Sequence, residues 1–362
     1  MLPTLDAHHD RTVPGGDTEG ATSAPIGPTR KSSLIDRLFL IGGIILLLIL
    51  VARSGVGLVW GNLRVIGWGF AVIIGQELLA MTANTLGWRQ AFLPPRGAIP
   101  FFRLFAARVA GDAINYVTPT ATIGGEFVRA RMIEGELTPR AVWASVAVAK
   151  ISQTVGQALF IIAGMFYVAS KAPLPMTVRD GLAVSGPLFI AAVILAVVMQ
   201  RHGLFTAAVR LLQRTRLAVA PRVARELERL DEEIRLIYSV PSSIFLSSGM
   251  FFIGWMFGIV ESYLTLYFLD AGPSCHRAVI IETLSVTIDA VMFFVPGKAG
   301  TQEGGKMLIF SILGLDPALG LAFGIARRIR ELSWAGIGLL ILGWHQLHGG
   351  SSPLMRVPGK IV

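Results

Sequence analysis

GDAINYVTPTATIGGEFVRAR at residues 111–131 and DAVMFFVPGKAGTQEGGK at residues 289–306 decide how this chain folds. Each lies in a longer apolar stretch, 101–135 and 276–313, that Pro, Gly and charge break in its middle. Neither can form a plain membrane helix, because irregular backbone at membrane depth needs protein or water to satisfy it. Laid side by side, they match. Asp112 stands seven before Pro119 and Pro119 seven before Glu126; Asp289, Pro296 and Glu303 keep the same spacing. A base follows three later in both, Arg129 and Lys306. Thr138-Pro139 and Asp316-Pro317 come next, each an N-cap residue with Pro at the first helical position. Eleven beyond each Pro is a base, Lys150 or Arg328, and three further on Gln153 or Glu331. One insertion between Glu303 and Asp316 keeps the register, so an internal duplication is expected, with halves at about 65–170 and 243–345.

Composition sets the solvent in which that repeat sits. Of 362 residues, 53% are apolar, another 40 are Gly, and only 15% are charged. The mean hydropathy is +0.63. Soluble domains run near 25% charged, so a disordered chain, a collagen and an ordinary cytosolic enzyme are excluded. The pattern is that of an all-α polytopic membrane protein. The excess of 32 basic over 23 acidic residues reads as loop orientation rather than nucleic-acid binding. A single Cys, Cys275, allows no internal disulfide. His8 and His9 sit without partners in a Pro- and Gly-rich tail, and no metal motif or catalytic signature is present.

A span needs about 20 mostly apolar residues. Windows of that kind fall near 36–53, 65–87, 141–169, 181–200, 243–269 and 317–344, which predicts about six full spans. Trp60, Trp68, Trp88, Trp255 and Trp344 fall near their ends, at the interface where an amphipathic ring prefers to sit. The connection 201–242 holds eight Arg and contains a charged amphipathic helix over 220–240, expected in the cytoplasm. Arg30, Lys31 and Arg37 place the N-terminus there too, as Arg356 and Lys360 do the C-terminal tail, 347–362. Residues 1–33 read as a disordered cytoplasmic tail and 34–346 as the membrane domain. The crossings close only if both irregular stretches enter and leave on one side. Two re-entrant broken-helix hairpins are therefore expected. Three crossings between equivalent points invert the second copy, the layout in which interrupted segments of two halves mark a transporter site.

Charge at the bilayer centre costs at least about 2.5–3.5 kcal/mol, so buried charges have partners or functions. The intramembrane candidates are Glu77, Asp112, Glu126, Arg129, Lys150, Glu261, Glu282, Asp289, Lys298, Glu303, Lys306, Arg327, Arg328, Arg330 and Glu331. Lys150 and Gln153, like Arg328 and Glu331, lie one turn apart and share a helix face. The substrate-binding set expected from the repeat is Asp112, Glu126, Arg129, Lys150, Gln153, Asp289, Lys298, Glu303, Lys306, Arg327, Arg328 and Glu331. The Arg cluster suits a phosphate or other anionic head group. Pro119, Gly124, Gly125, Pro296, Gly297, Gly300, Gly304 and Gly305 are expected to shape the turns, with free N–H groups at helix starts favouring an anion. The bland alternative is that Glu126 and Glu303 merely cap the half-helices or pair with Arg residues. Gly254-x3-Gly258 and Gly320-x3-Gly324 read as close packing within the bundle.

These two segments, with Arg327-Arg328-Ile329-Arg330-Glu331, resemble the signatures of a bacterial family over about residues 35–345. It is the flippase-like transmembrane region of lysylphosphatidylglycerol synthases and its stand-alone relatives, with a likeness to members associated with hopanoid biosynthesis. The resemblance implies a multi-pass protein of the bacterial inner membrane that moves or exports an amphiphilic lipid, anionic or hopanoid-type. Its partners would be membrane lipid and lipid-biosynthesis enzymes. The soluble aminoacyl-transferase domain of the synthases has no room after residue 345, so no enzymatic activity, catalytic residue, cofactor or metal is expected. The alternatives are a non-transporting accessory subunit of a lipid-synthesis machinery and a membrane-embedded lipid-modifying enzyme.

Overall fold

The computed structural model describes residues 41, 45, 64–93, 99–118, 123–171, 190–214, 220–291 and 301–348. The expectations on the tail 1–33, on most of the 36–53 window, and on Trp60, Pro119, Pro296, Gly297, Lys298, Gly300 and 349–362 lie outside these residues. Among the described residues the chain is all-helical. The helices are α1 Gly69–Gln90, α2 Phe101–Val117, α3 Ile123–Met132 and α4 Pro139–Lys171. Then come α5 Ile190–His202 and α6 Leu204–Arg214, followed by α7 Pro221–Tyr238, α8 Pro241–Phe268, α9 Cys275–Val291, α10 Thr301–Ile312 and α11 Pro317–Leu347.

Helices α1, α4 and α8 are long and apolar enough to cross a membrane, and α5 with α6 adds a further span if that bent pair is one. Helix α11 is long enough at 31 residues, about 46 Å at 1.5 Å per residue. It falls short on composition, because four charges fill positions 327–331. The helix starts follow local chemistry. Asp316 Oδ1 accepts from Ala318 N at 2.8 Å ahead of Pro317. Thr138 Oγ1 accepts from Ala141 N at 3.3 Å ahead of Pro139.

Glycine sets how closely the helices approach. A Cβ on Gly125 would overlap the Gly111 carbonyl and the Asn115 amide, so α3 lies directly against α2. Asn115 Oδ1 accepts from Gly125 N at 2.7 Å and satisfies one of the N–H groups that a helix start leaves open. Helix α2 meets α11 where Gly338 would place a Cβ 2.5 Å from Val109 O and from Ala113 Cβ. A Cβ on Gly156 of α4 would lie 2.8 and 2.9 Å from Phe252 N and Ser248 O of α8, and one on Gly164 would overlap Thr283 of α9. Gly254 meets Asn84, Gly258 meets Glu282, and Gly320 and Gly324 seat α11 on α10. Both predicted glycine pairs therefore pack inside the bundle.

One apolar core joins α2, α3, α4 and α7 with Trp88 of α1, Phe251 of α8 and Ala335, Leu339 and Leu342 of α11, and another joins α1, α8, α9, α10 and α11. Trp88 corrects the expectation of an interfacial ring. It is 1% exposed, and its Nε1 donates to Ser145 Oγ at 3.3 Å. Trp255 likewise packs with Phe160 inside the bundle. Trp68 is exposed, as expected.

The α2–α3 crossing gives a direct test. Gly125→Ala forces overlap with backbone and costs about 1–3 kcal/mol, the usual range for overpacking. Gly304→Ala, where nothing lies within 4 Å of the added carbon, keeps stability or raises it by up to about 1 kcal/mol, the helix preference of Ala over Gly. Thermal unfolding of the two variants in the same detergent checks both outcomes.

Candidate functional site

A cavity of about 300 Å³ opens between α1, α2, α4, α8, α9 and α11. Its described lining carries six carboxylates, those of Glu77, Asp112, Glu261, Glu282, Asp289 and Glu331. Three guanidinium groups, of Arg108, Arg327 and Arg330, face them. Trp255, Trp334, Val109 and Met81 supply apolar wall, and Asn84, Tyr116 and Gln153 supply neutral polar groups.

On one side the charges are tied together by α11. Arg327 is 5% exposed. Its Nη2 lies 2.9 Å from Glu261 Oε2 and 2.5 Å from Glu282 Oε2. Ser262 Oγ also donates to Glu282, at 2.7 Å. Arg330, one turn along, pairs with Glu77 and holds its Nε 2.8 Å from Glu261 Oε1. Its other nitrogen lies 3.6 Å from Glu331. Gln302 Nε2 donates to both Glu331 oxygens at 2.9 and 3.0 Å. Arg328 points the other way and meets Glu303 at 2.5 Å. Lys306 is buried with its Nζ 5.9 Å from the Phe323 ring centre.

On the opposite side Arg108 Nε lies 3.2 Å from Asp112 Oδ2. Its Nη2 donates to Gln153 Oε1 at 3.4 Å, and the guanidinium lies 5.2 Å from the Phe251 ring centre. Arg129 pairs with Asp112 and, at 2.5 Å, with Glu126. Lys150 Nζ reaches the other Glu126 oxygen at 3.1 Å.

The predicted residues thus divide. Asp112, Gln153, Asp289, Arg327 and Glu331 line the cavity. Glu126, Arg129, Lys150, Glu303 and Arg328 stand beside it in ion pairs, and Lys306 is buried behind it. Glu126 and Glu303 occupy the first turns of α3 and α10 and pair with bases. The guanidinium groups expected to hold a phosphate are engaged by carboxylates. The Gly125 N–H offered to an anion is taken by Asn115. Arg108 escaped the sequence reading, although its placement four before Asp112 on one helix face is a usable signal. Glu77, Glu261, Glu282 and Arg330 stood out as charges in apolar runs, but nothing local marks them as one cluster. Among the described residues no group of His, Cys, Asp and Glu could hold a metal ion.

Such pairs satisfy each other rather than add stability, and removing one partner strands the rest. Arg327→Met leaves Glu261 and Glu282 without their shared base, an expected loss of about 3–5 kcal/mol. Adding Glu282→Gln recovers part of that loss. Unfolding midpoints of the single and double variants in detergent read the difference.

Comparison with known proteins shows the family. A family model described as the lysylphosphatidylglycerol synthase TM region matches residues 35–339. No curated protein matches the chain, and no solved structure does. The match covers most of the sequence, so the chain belongs to that family.

Proposed function

We propose that this membrane protein, related by family to lipid synthesis, is a transporter that moves an amphiphilic lipid across the bacterial inner membrane. The observation that carries the reading is the charged cavity between six helices of an apolar bundle. A polar chamber inside such a bundle suits a head group, while the acyl or polycyclic part stays among the exposed apolar side chains. The described lining has more carboxylates than guanidinium groups. A head group with a cationic portion beside its phosphate therefore fits it better than a purely anionic one.

An inverted duplication underlies the reading, with six spans, two re-entrant hairpins and both termini in the cytoplasm. Its support lies in equivalence. Exchanging α1–α4 with α8–α11 turns the α2–α3, α3–α4 and α2–α11 contacts into α9–α10, α10–α11 and α9–α4, all of which occur. The Glu126–Lys150 pair has Glu303–Arg328 at the matching positions. Asp112 and Asp289 both line the cavity.

The site's substrate-facing residues in this reading are Asp112, Gln153, Asp289, Arg327 and Glu331. Glu126, Arg129, Lys150, Glu303, Lys306 and Arg328 hold the broken helices in place. A second reading has a specific observation behind it. The family is described by a synthase, which would suit an accessory subunit of a lipid-synthesis machine.

Reconstitution into vesicles with head-group-labelled lipids distinguishes the two. The panel should span anionic, zwitterionic, amine-bearing and hopanoid-type lipids. The transporter reading expects protein-dependent movement between leaflets for at least one class. It also expects Glu331→Gln or Asp112→Asn to slow that movement about tenfold to a hundredfold. That range is the rate equivalent of one charge-assisted hydrogen bond of about 1.5–3 kcal/mol. No movement across the panel, together with co-purification of a synthase, would favour the accessory role.

A further inference from the structure

Helix α6 has no part in the cavity, and its geometry is peculiar. Helices α5 and α6 meet at 87° with only Gly203 between them. Gly203 has φ +102°, a left-handed conformation that side-chain-bearing residues rarely adopt. The corner is fastened from outside. Asp231 of α7 is 1% exposed and accepts from Phe205 N at 3.3 Å and from Thr206 N at 2.7 Å. It also accepts from Thr206 Oγ1 at 2.6 Å. Arg235 Nη2 donates to His202 O at 3.0 Å, covering the end of α5. A buried aspartate supplied by a different helix therefore serves as the N-terminal cap of α6.

What this corner presents is an amphipathic surface. Leu204, Ala208 and Leu211 fall at i, i+4 and i+7 and make one face. Leu211 is 63% exposed, and Leu212 beside it 41%. Val209 turns inward and is buried. The opposite face holds Arg210, Gln213 and Arg214, all exposed, and α6 contains no acidic residue. Neither arginine is in an ion pair among the described residues. The exposed apolar face of α5, with Ile194, Leu195 and Val198, leads into this stripe.

We propose that α6 is an interfacial helix that docks on an anionic phospholipid surface. In that arrangement α5 is the end of a span and α6 lies in the membrane plane. A helix nearly perpendicular to a membrane-embedded neighbour runs along the interface. Its apolar stripe enters the acyl boundary while its bases reach the phosphates. Charge decides against a second copy as the occupant. A symmetric contact would set Arg210 and Arg214 of one copy beside those of the other.

The test uses the full chain in vesicles, with Cys275→Ser as background. A polarity-sensitive fluorophore is attached through Leu211→Cys or Gln213→Cys. Acyl-chain spin-labelled lipids are expected to quench the label at 211 and aqueous iodide the label at 213. Quenching at 211 should be stronger with phosphatidylglycerol than with phosphatidylcholine alone, and Arg210→Gln with Arg214→Gln should abolish that difference. Unchanged gel-filtration behaviour and helical content establish that each variant is folded. The proposal is overturned if iodide reaches position 211, if quenching ignores phosphatidylglycerol, or if protection at 211 rises with protein density rather than lipid composition.

Discussion

A charge inside an apolar bundle must be neutralised by another charge, and the arrangement of this protein follows from that demand. Arg327 and Arg330 lie one turn apart on α11 and draw carboxylates from α1, α8 and α9 to one place. Each helix contributes a group it could not bury alone. The coulombic attraction is strong in such surroundings, and so is the desolvation it must offset. The net result is modest stability with high specificity of position. Only one register of α1, α8, α9 and α11 lets all of these groups meet.

Glycine and cap residues make that register reachable. Carbonyls and Cα atoms approach more closely than any side chain would allow at Gly111, Gly125 and Gly320. Polar contacts at the edge of the bundle fix the remaining helices. Gln200 Nε2 donates to Ala147 O of α4 at 2.9 Å, and Tyr238 donates to Gln200 Oε1 at 2.7 Å. Burial pushes the Tyr238 hydroxyl up to about 12, so it keeps its proton and remains a donor. The Arg140–Glu226 pair, at 2.9 and 3.1 Å, sits on the exposed surface. The hydrogen bond from Arg140 holds the Glu226 carboxyl below its usual range. Solvent screening leaves such a pair to orient α7 rather than to hold it.

Much of this was legible in the sequence where the signal is local. The caps at Thr138 and Asp316 and the amphipathic α7 follow from spacing over a few residues. Pairs at short range, such as Arg129 with Glu126, could be anticipated in the same way. Distant pairs could not. Arg330 and Glu77 are 253 positions apart, and Arg327 and Glu261 are 66 apart. Nothing in periodicity says which acidic residue will answer which base, so the pairing of Arg327, Arg328 and Arg330 with carboxylates could not be read in advance. Trp88 misled for a related reason. A ring near a helix end resembles an interfacial anchor, yet Ser145 on α4 gives its N–H a partner inside.

The ion pairs at and beside the cavity fall into two sets that share no residue. One fastens α2, α3 and α4, and the other α1, α8, α9, α10 and α11. The joint between the sets runs past Gly338, Gly156 and Gly164, where backbone faces backbone or a small side chain. Ionic lattices resist deformation because each displacement strands a charge. At these glycines no large side chain stands between the helices, while Trp88, Phe251 and Leu339 pack across the joint elsewhere. Shear along the seam, helices sliding past one another, is the relative displacement that would carry both charged clusters intact. The cavity lies on that seam, so a slide of a few ångströms would reshape its mouth before it disturbed its chemistry.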